Sequence, residues 1–505
     1  MITQPLFLLQ WLQPATVAGV ISVLALVYIS YCCFLHPLAR IPGPVLAKFS
    51  PLWIMGSLYR GSYNSDLQKL HARYGTVVRI APNELSFSTL EAQNEIYSKQ
   101  EEGGFSKKAT FIDFLTGLLF ADPSPTLLTV SDLDMHKKLR RTVEQAFTPS
   151  SLAEQEQIQK SHVDKAIHQL EEHADHGDEV DLRAQLETIL WGILADVTFG
   201  EPLTMGKKST WEFLKTVGKA SMPMVEFLLW SSTFPGVALV LHVIFWILPY
   251  QITPFSKILP ADKFKECLER QNANTRKTFI QAMTATEKHG FSLDSDAMVF
   301  NIIVLLFTGY QSSSIAVVAL FYNILRNPGI YDKVCEEVRA SFHNESDISN
   351  ERLLQLPLLN GCIREALRLL PPANGKTAQR TAPECTIAET YVPKGTIVSA
   401  DIYSIHRSSR YFREPDSFQP ERWVSHGKDT LFESDNRRAY RPFLIGPRAC
   451  VGKNSALQSL RLITAKLLWK LDFEMVNKDF VWERDAVSSL IYTDYPLIVR
   501  TKRAG

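Results

Sequence analysis

The chain has 505 residues, of which 46% are hydrophobic, and this is enough for a large buried core. The 54 Lys and Arg residues against 53 Asp and Glu give a formal net charge of +1. This balance excludes the basic surface of a nucleic-acid-binding protein and the acidic bulk of a disordered chain. Seven cysteines, an odd number with no C-x-x-C pair, exclude a disulfide scaffold.

The N-terminal segment is the first distinct element. Residues 1–35 contain no Asp, Glu, Lys or Arg, and residues 15–35 are apolar or weakly polar throughout. A membrane-spanning helix requires about 20 such residues. The alternative, a cleaved signal peptide, lacks its basic start and its small-residue cleavage site here. Arg40 and Lys48 follow, which favours a cytosolic location for the rest of the chain. The pattern predicts a membrane anchor and its flank over residues 1–39.

The next run, residues 40–44 (RIPGP), contains two prolines. Because proline fixes its own φ and disfavours a helix in the residue before it, we expect a stiff spacer that holds the following domain at a set angle to the membrane. An ordinary turn is the alternative.

Apolar periodicity and turn residues then predict a mainly helical chain with two β-like regions. The helical segments are residues 185–199, 301–325 and 358–370, and the β-like segments are residues 76–80, 85–87 and 385–400.

Residues 227–250 form a second uncharged segment. A second membrane span would place the remaining chain across the bilayer from Arg40 and Lys48, and residues 234–236 (FPG) interrupt a helix. We therefore expect two short apolar helices that rest in one leaflet, with a buried helix pair as the alternative.

The sharpest local feature is residues 443–452 (FLIGPRACVG). A phosphate-binding loop is excluded, because Pro447 stands where that motif has its first glycine and Asn454 stands where it has Ser or Thr. Cys450 lies just before a helix-like run, residues 454–471, and a thiolate at a helix N-terminus is stabilised by the dipole and the backbone N–H groups. A buried inert thiol is the alternative for a single cysteine.

This segment resembles the cysteine-ligand loop of the cytochrome P-450 family, the haem-thiolate monooxygenases, whose pattern is Phe-x-x-Gly-x-Arg-x-Cys-x-Gly. All five fixed positions match, namely Phe443, Gly446, Arg448, Cys450 and Gly452. The resemblance extends over nearly the whole chain. It implies haem b with Cys450 as the iron ligand, Phe443 beside the thiolate, and Arg448 paired with a haem propionate. The glycines allow the loop to turn tightly.

The resemblance also implies a fold, a mostly α domain with small β-sheets over residues 40–505, preceded by one transmembrane helix. Length alone would allow about three domains, and the motifs outweigh that estimate. Glu365 and Arg368 match the family's Glu-x-x-Arg pair, and Arg422 matches the arginine that joins it. These three residues are expected to stabilise the fold around the haem and to take no part in catalysis.

Three further residues resemble the family's propionate partners. His136 and Arg140 lie four residues apart and share one helix face, and Arg380 precedes the second β-like region. The other charges of the first helix, Lys137, Lys138 and Arg141, fall on different faces. They are suited to dock an acidic reductase, with a simply solvated basic face as the alternative.

The central helical segment departs from the family pattern. The family's oxygen-binding turn reads Ala/Gly-Gly-x-Asp/Glu-Thr-Thr/Ser, and residues 308–313 of this chain read TGYQSS. Gly309 is retained where a side chain would crowd the oxygen, and Ser312 retains the hydroxyl. Gln311 replaces the acid and does not titrate in the useful range. We therefore expect Gly309, Gln311 and Ser312 to be the catalytic positions, with protons delivered through water that Gln311 and Ser312 orient.

The pocket positions of the family are mostly apolar here, with scattered hydroxyl and amide groups. They are residues 111–128, 305–306, 373–375 and 490–493. Such a lining suits a lipophilic molecule with a few polar groups, such as a polyketide, a terpenoid or an alkaloid of fungal secondary metabolism.

The predicted function is the insertion of one oxygen atom from O2 into this molecule. NADPH supplies the electrons through a membrane-bound reductase, with cytochrome b5 as a further partner and no nucleic-acid partner. The predicted location is the endoplasmic reticulum membrane, with one span and a cytosolic catalytic domain. Because Gln311 replaces the acid, desaturation, ring coupling or rearrangement is the alternative chemistry. A membrane haem protein that binds or senses a ligand without turnover is the alternative of another class.

Overall fold

The computed structural model describes residues 14–98, 104–107, 126–200, 278–284, 295–424 and 431–504. The apolar segment 227–250 and residues 111–125 of the expected pocket lie outside these ranges. The α-helices of the described ranges are α1 (Pro14–Ser30), α2 (Leu52–Arg60), α3 (Tyr63–Tyr74), α4 (Leu90–Tyr97), α5 (Leu133–Glu144), α6 (Pro149–His176), α7 (Leu182–Phe199), α8 (Phe279–Thr284), α9 (Ser295–Arg326), α10 (Pro328–Ser341), α11 (Asn350–Leu353), α12 (Pro357–Leu369), α13 (Ile402–His406), α14 (Glu421–Val424), α15 (Lys453–Lys470) and α16 (Trp482–Asp485). The expected mostly helical architecture is confirmed.

The strands form small sheets. They are β1 (Val77–Ala81), β2 (Glu84–Phe87), β3 (Ser106–Lys107), β4 (Glu179–Asp181), β5 (Arg380–Thr381), β6 (Cys385–Ile387), β7 (Thr390–Val392), β8 (Ile397–Ala400), β9 (Leu471–Met475) and β10 (Ile498–Arg503). One sheet has the order β1-β2-β8-β5-β3, a second has the order β4-β10-β9, and β6 pairs with β7. β2 and β8 pair in parallel, so the first sheet joins the N-terminal part of the domain to its C-terminal half.

Two long helices begin at a side chain that caps their first N–H groups, and each ends at a glycine. α6 begins after Thr148, whose hydroxyl accepts from the Ser151 N–H, and it ends at Gly177, whose φ of 71° glycine adopts without strain. α7 begins at the Asp181 side chain, which accepts from the Arg183 and Ala184 N–H groups. The segment predicted as helical from residue 185 therefore starts three residues earlier, at its cap.

Helix α9 is the centre of the hydrophobic core. It packs against α7, α12 and α15, and its residues 315–321 are all buried. The window Val304–Arg326 is apolar enough to cross a membrane, but 61% of it is buried inside the protein. Its apolar character is thus explained by burial in the core rather than by contact with lipid.

Helix α1 has the opposite character. The window Ala18–Leu35 is a candidate membrane span with a mean hydropathy of 2.2, and only 6% of it is buried. A π-helical turn (Tyr31–Leu35) continues α1 toward the domain. The following residues 40–44 rest on β1, where the Arg79 N–H donates to the Pro42 carbonyl oxygen at 2.8 Å.

Candidate active site

The segment around Cys450 is a tight loop that leads into α15. The Cys450 N–H donates to the Phe443 carbonyl oxygen at 2.9 Å, and the Ala449 N–H donates to the Gly446 carbonyl oxygen at 3.0 Å. Gly446 has a φ of 76°, and a Cβ there would lie 2.0 Å from the Tyr97 carbonyl oxygen. A glycine is therefore required at this position, as expected. At Gly452 a Cβ would meet only the Phe147 ring, at 3.7 Å, so the described neighbours leave room for a side chain there.

The Cys450 side chain is exposed. Burial raises the pKa of its thiol, whereas the backbone N–H groups of Gly452 and Lys453 and the charge of Arg140 lower it. The sulfur is thus accessible to a ligand, and the N–H groups at the helix N-terminus offset only part of the rise in pKa that burial causes.

A cluster of positive charges surrounds His136. Its side chain is buried and its pKa is lowered to about 4, first by burial and then by the charges of Arg448, Arg140, Lys107 and Arg380. In the antiparallel pair β3–β5, Lys107 stands directly opposite Arg380. Like charges opposite one another destabilise a sheet pair, so this arrangement is suited to an anion held between them.

The predicted propionate partners also bind the backbone around the loop. Arg448 donates to the carbonyl oxygens of Val130 (2.7 Å) and Ser131 (3.1 Å). Arg140 donates to the carbonyl oxygens of Pro447 (3.1 Å) and Ala449 (2.7 Å). Both arginines thus join the cysteine loop to α5 and the segment that precedes it.

Arg380 is buried in the same region. It donates to the Ala378 and Gln379 carbonyl oxygens at 3.1 and 3.0 Å, and its guanidinium lies 5.3 Å from the centre of the Tyr97 ring. Burial lowers the pKa of Arg380. The structure therefore brings the charges of Arg140, Arg380 and Arg448 close to His136.

Helix α9 carries the three predicted catalytic positions. The Ser312 hydroxyl donates to the Thr308 carbonyl oxygen at 2.7 Å, and the Thr308 hydroxyl donates to the Val304 carbonyl oxygen at 2.7 Å. Such bonds to the preceding turn compete with the helical N–H groups and favour a local bend. A Cβ on Gly309 would meet only Leu194, at 3.8 Å, so the described protein leaves open space there. Gln311 is half-buried.

Apolar side chains connect this helix to the cysteine loop. Leu305, Leu306 and Phe307 belong to one hydrophobic cluster with Val451, the neighbour of Cys450. The predicted pocket segments also meet: Ala373 pairs with Ile491 in an antiparallel bridge. The residue that follows Cys450 and the helix with the predicted catalytic positions thus pack against the same apolar cluster.

The comparisons with known proteins agree with this geometry. The family model for cytochrome P450 matches residues 46–499. Cytochrome P450 monooxygenase tpcB of Cochliobolus heterostrophus is 52% identical over 97% of this chain and 97% of its own length. Cytochrome P450 monooxygenase FUP2 of Fusarium proliferatum is also 52% identical, over 100% of this chain and 99% of its own. Sesterfisheric acid synthase of Neosartorya fischeri is 34% identical over 92% of each chain. The chain belongs to the cytochrome P450 family.

The site of this cytochrome P450 fits haem b by its donor set. The Cys450 sulfur is an accessible donor that would bind the iron as a thiolate, and the cations around His136 suit the two propionates of the haem. When bound, a haem with a thiolate ligand supplies the electron density that favours O–O cleavage. Phe443 packs beside the main hydrophobic core and its carbonyl oxygen fixes the Cys450 N–H. Its expected packing against the thiolate and the individual residue roles stay predictions.

The predicted structural trio of this cytochrome P450 forms a closed network. Both Glu365 oxygens accept from Arg368, at 2.9 and 2.8 Å, and one also accepts from Arg422 Nε at 2.9 Å. The Trp423 indole N–H donates to the other oxygen at 2.8 Å. All three charged side chains are fully buried. Their further partners are the buried Asp435 carboxylate, which pairs with Arg422, and backbone groups, which agrees with a structural role.

One member of the cation cluster was missed by the sequence reasoning. Lys107 lies in a strand of two residues, too short for a periodic pattern, and only its register opposite Arg380 brings it to the site. The sequence could have indicated Lys107 only if the pairing of its strand with that of Arg380 had been known.

Proposed function

We propose that this cytochrome P450 inserts one oxygen atom from O2 into a lipophilic small molecule of fungal secondary metabolism, of the polyketide, terpenoid or alkaloid class. The observation that carries the proposal is the accessible Cys450 sulfur, whose neighbour Val451 packs against the same apolar cluster as Leu305 and Phe307. An apolar lining with few polar groups favours a lipophilic substrate. One relative, sesterfisheric acid synthase, is named for making an organic acid.

Ser312 and Gln311 orient water for proton delivery in this proposal. The Ser312 oxygen donates its hydrogen to Thr308, and its lone pairs remain able to accept from a water molecule. The Gln311 amide both donates and accepts but does not exchange a proton near neutral pH. Protons therefore come from water rather than from an acid on α9.

A flavoprotein reductase that oxidises NADPH supplies the electrons, with cytochrome b5 as a further donor. Lys137, Lys138 and Arg141 are exposed on α5, while Arg140 of the same helix contacts the cysteine loop. An acidic partner that binds this exposed face would therefore stand close to the haem ligand.

The proposed location is the endoplasmic reticulum membrane, with a single span and a cytosolic catalytic domain. The exposed apolar window Ala18–Leu35 supports the span. Arg40 and Lys48 on its C-terminal side support the orientation.

Metabolite profiling of a strain that lacks the gene, against its parent, tests the reaction. We expect the accumulating intermediate to differ from the lost product by one oxygen atom. The purified protein should then convert that intermediate only with NADPH and a reductase. A non-catalytic haem protein would show ligand binding without this consumption.

The replacement of the acid by Gln311 favours a second candidate, in which the same site performs desaturation, ring coupling or rearrangement. The same profiling separates the two. A mass difference of two hydrogens, or none, between intermediate and product would support this second chemistry and contradict oxygen insertion.

A further inference from the structure

A buried ion pair lies beside the predicted pocket segment 373–375. The Lys376 ammonium donates to both Glu84 oxygens, at 2.9 and 3.2 Å. The two side chains are only 1% and 4% exposed. The Gln379 amide group also donates to Glu84. One carboxylate therefore holds two residues of the stretch that joins α12 to β5.

Glu84 stands on a firm support. It is the first residue of β2, where it pairs with Ala81 of β1 on one side and with Ile397 of β8 on the other. Its two partners, by contrast, lie in and just after a short 3-10 turn, Gly375–Ala378. A strand inside a sheet places a side chain more precisely than a loop does. The sheet therefore fixes the turn through the Glu84 carboxylate.

The same turn lies close against β8. A Cβ on Gly375 would be 3.0 Å from the Ala400 carbonyl oxygen and 3.2 Å from the Asp401 Cα, which leaves little room for a side chain. At the other end of the turn, Arg380 pairs with Val398 of β8. Its guanidinium donates to the last two carbonyl oxygens before it, at 3.1 and 3.0 Å. The stretch that contains Lys376 and Gln379 is thus held at both ends.

The turn is also connected to the predicted pocket segment near the C-terminus. The side chain of the buried Asn374 donates to the Ser489 carbonyl oxygen and accepts the Lys376 N–H at 3.1 Å. Next to it, Ala373 pairs with Ile491 in an antiparallel bridge. A shift of Lys376 would therefore be passed to both of these pocket segments.

Stability does not explain why an ion pair occupies this place. Two charges lose their hydration on burial, and apolar side chains of similar volume are often equally stable or more stable in place of such a pair. A buried pair does, however, require one geometry, because a charge that leaves its partner stays uncompensated. The contact of Glu84 and Lys376 is thus suited to fix a position.

We propose that Glu84 is a positioning residue for substrate selection: through Lys376 and Gln379 it sets the place of the pocket wall that residues 373–375 form. The inference deepens the proposed function and rests on its lipophilic pocket. A ligand large enough to reach this wall depends on the contact, whereas a small ligand bound at the haem iron does not.

The test compares two azoles that bind haem iron through the same imidazole nitrogen. Imidazole is small, and N-benzylimidazole carries an additional apolar ring that extends into the pocket. Both shift the Soret band of the full-length, haem-loaded protein, so titration gives a dissociation constant for each. The ratio of the two constants reports on the pocket wall, because a change at the iron affects both azoles alike.

We expect Glu84→Gln to raise the dissociation constant of N-benzylimidazole by about tenfold, which corresponds to about 1.4 kcal/mol. The constant for imidazole should stay unchanged. The reason is that the amide keeps the size of the side chain but leaves the Lys376 charge without its partner. Lys376→Met should have a similar effect. The double variant Glu84→Gln/Lys376→Met should change the ratio no more than either single variant, since both act through one contact.

Lys466 provides the matched control. It is another buried lysine, with a side chain 3% exposed, and it pairs with Asp164 and Glu345 at 2.6 and 2.7 Å, outside the predicted pocket segments. Lys466→Met should lower the melting temperature and leave the ratio unchanged. If Glu84→Gln fails to bind haem, Gln379→Met decides the question, because it removes one donor to Glu84 and retains the ion pair. A smaller rise of the ratio is expected there.

The outcomes separate this inference from the proposed function. If the original chain binds imidazole but not N-benzylimidazole, the lipophilic pocket and the inference are both contradicted. If it binds both, an unchanged ratio in Glu84→Gln and Gln379→Met overturns the inference alone. Additive effects in the double variant overturn it as well. An equal rise in Lys466→Met does the same, because the loss of any buried ion pair would then be sufficient.

Discussion

Arg140 of α5 holds the carbonyl oxygen of Ala449, the residue directly before Cys450, at 2.7 Å. The same nitrogen donates to the Pro447 carbonyl oxygen at 3.1 Å, and Nε pairs with Glu144 at 2.7 Å. The arginine predicted to bind a propionate therefore also fixes the backbone that presents the thiol. This double contact makes α5 a support for the ligand loop.

The Arg140→Ala variant should loosen this loop. Hydrogen bonds from a charged group contribute about 1.5–3 kcal/mol when buried, and the partial exposure of Arg140 reduces the expected loss to about 1–2 kcal/mol. We expect a lower melting temperature and faster haem loss to an acceptor protein. The control is Arg141→Ala, which removes an exposed neighbour on the same helix. Equal haem loss in both variants would contradict the role of the loop contacts.

The Cys450→Ala variant tests the ligand itself. A thiolate ligand gives the reduced carbonyl complex its red-shifted Soret band, and alanine offers no donor atom. We expect that band to disappear completely. Cys362→Ala serves as the control, because this cysteine is buried in the core and should leave the band in place. A band that persists in Cys450→Ala would refute the ligand assignment.

The Glu365→Gln variant breaks the buried network with Arg368 and Arg422. Removal of one partner of a buried ion pair leaves uncompensated charge and typically costs about 3–5 kcal/mol. We expect a large loss of folded, haem-loaded protein, measured as carbonyl-binding yield and melting temperature. In the exposed pair of Glu474 and Lys478, at 3.4 Å, the variant Glu474→Gln should change stability by less than about 1 kcal/mol. Similar losses in the two variants would contradict the structural role.

The sequence predicted this network well, because Glu365 and Arg368 lie three residues apart on one helix and a family motif supplies Arg422. The cysteine loop was predicted equally well, because its glycines and its cysteine occur at a fixed spacing in the family motif. The strands predicted at residues 76–80 and 85–87 occur at Val77–Ala81 and Glu84–Phe87, and the helix predicted at 301–325 spans Ser295–Arg326. Local pattern was sufficient for these features.

Contacts to backbone carbonyl groups could not be predicted in this way. Arg79 and Arg140 bind carbonyl oxygens, which every residue possesses, so the acceptors leave no signature in the sequence. Gly309 differs for another reason. The family resemblance explains this glycine by the crowding that a side chain would cause at the bound oxygen. The described protein, however, leaves space for a Cβ at this position, so the need for glycine depends on groups that are not part of the chain.

The buried His406 should make the fold sensitive to acid. Its Nδ1 lies 3.1 Å from the Arg368 carbonyl oxygen and its Nε2 accepts the Arg441 N–H at 3.0 Å, which fixes a neutral ring that donates from Nδ1. Burial, with the charge of Arg368, lowers its pKa to about 3. In the unfolded chain the His406 ring has its ordinary pKa of 6.5 and takes up a proton below that pH, whereas the folded protein resists protonation down to about pH 3. The free energy of unfolding therefore falls as the pH falls from 6.5 toward 3.

We expect the His406→Gln variant to flatten this dependence. Between about pH 5.5 and 3.5 its unfolding free energy should lose about 1.4 kcal/mol less per pH unit than that of the original chain. Glutamine retains a donor and an acceptor for the two backbone groups. Chemical denaturation at several pH values measures the slopes, and His343→Gln, at an exposed position, is the control. Parallel slopes in all three proteins would contradict the assignment.

The Gln311→Glu variant tests how protons reach the site. General-acid help is worth about 10²–10⁴ in rate, and Gln311 offers none. If proton delivery through water limits oxygen insertion, the added carboxyl group should raise product formation per NADPH consumed by about tenfold or more. Ser312→Ala should lower the same ratio, because it removes the hydroxyl that we propose as an acceptor for water; in the structure this hydroxyl donates to the Thr308 carbonyl oxygen.

The identity of the product decides between the two candidate reactions. A faster reaction with the same oxygenated product supports insertion limited by protons. Gln311→Glu could instead abolish the original product and yield a hydroxylated one. The amide would then be required for a reaction that an acid at this position converts into oxygen insertion, and desaturation, coupling or rearrangement would be the native chemistry. An unchanged rate and product would show that Gln311 takes no part in proton delivery, because an acid at the same place on α9 would then have nothing to accelerate.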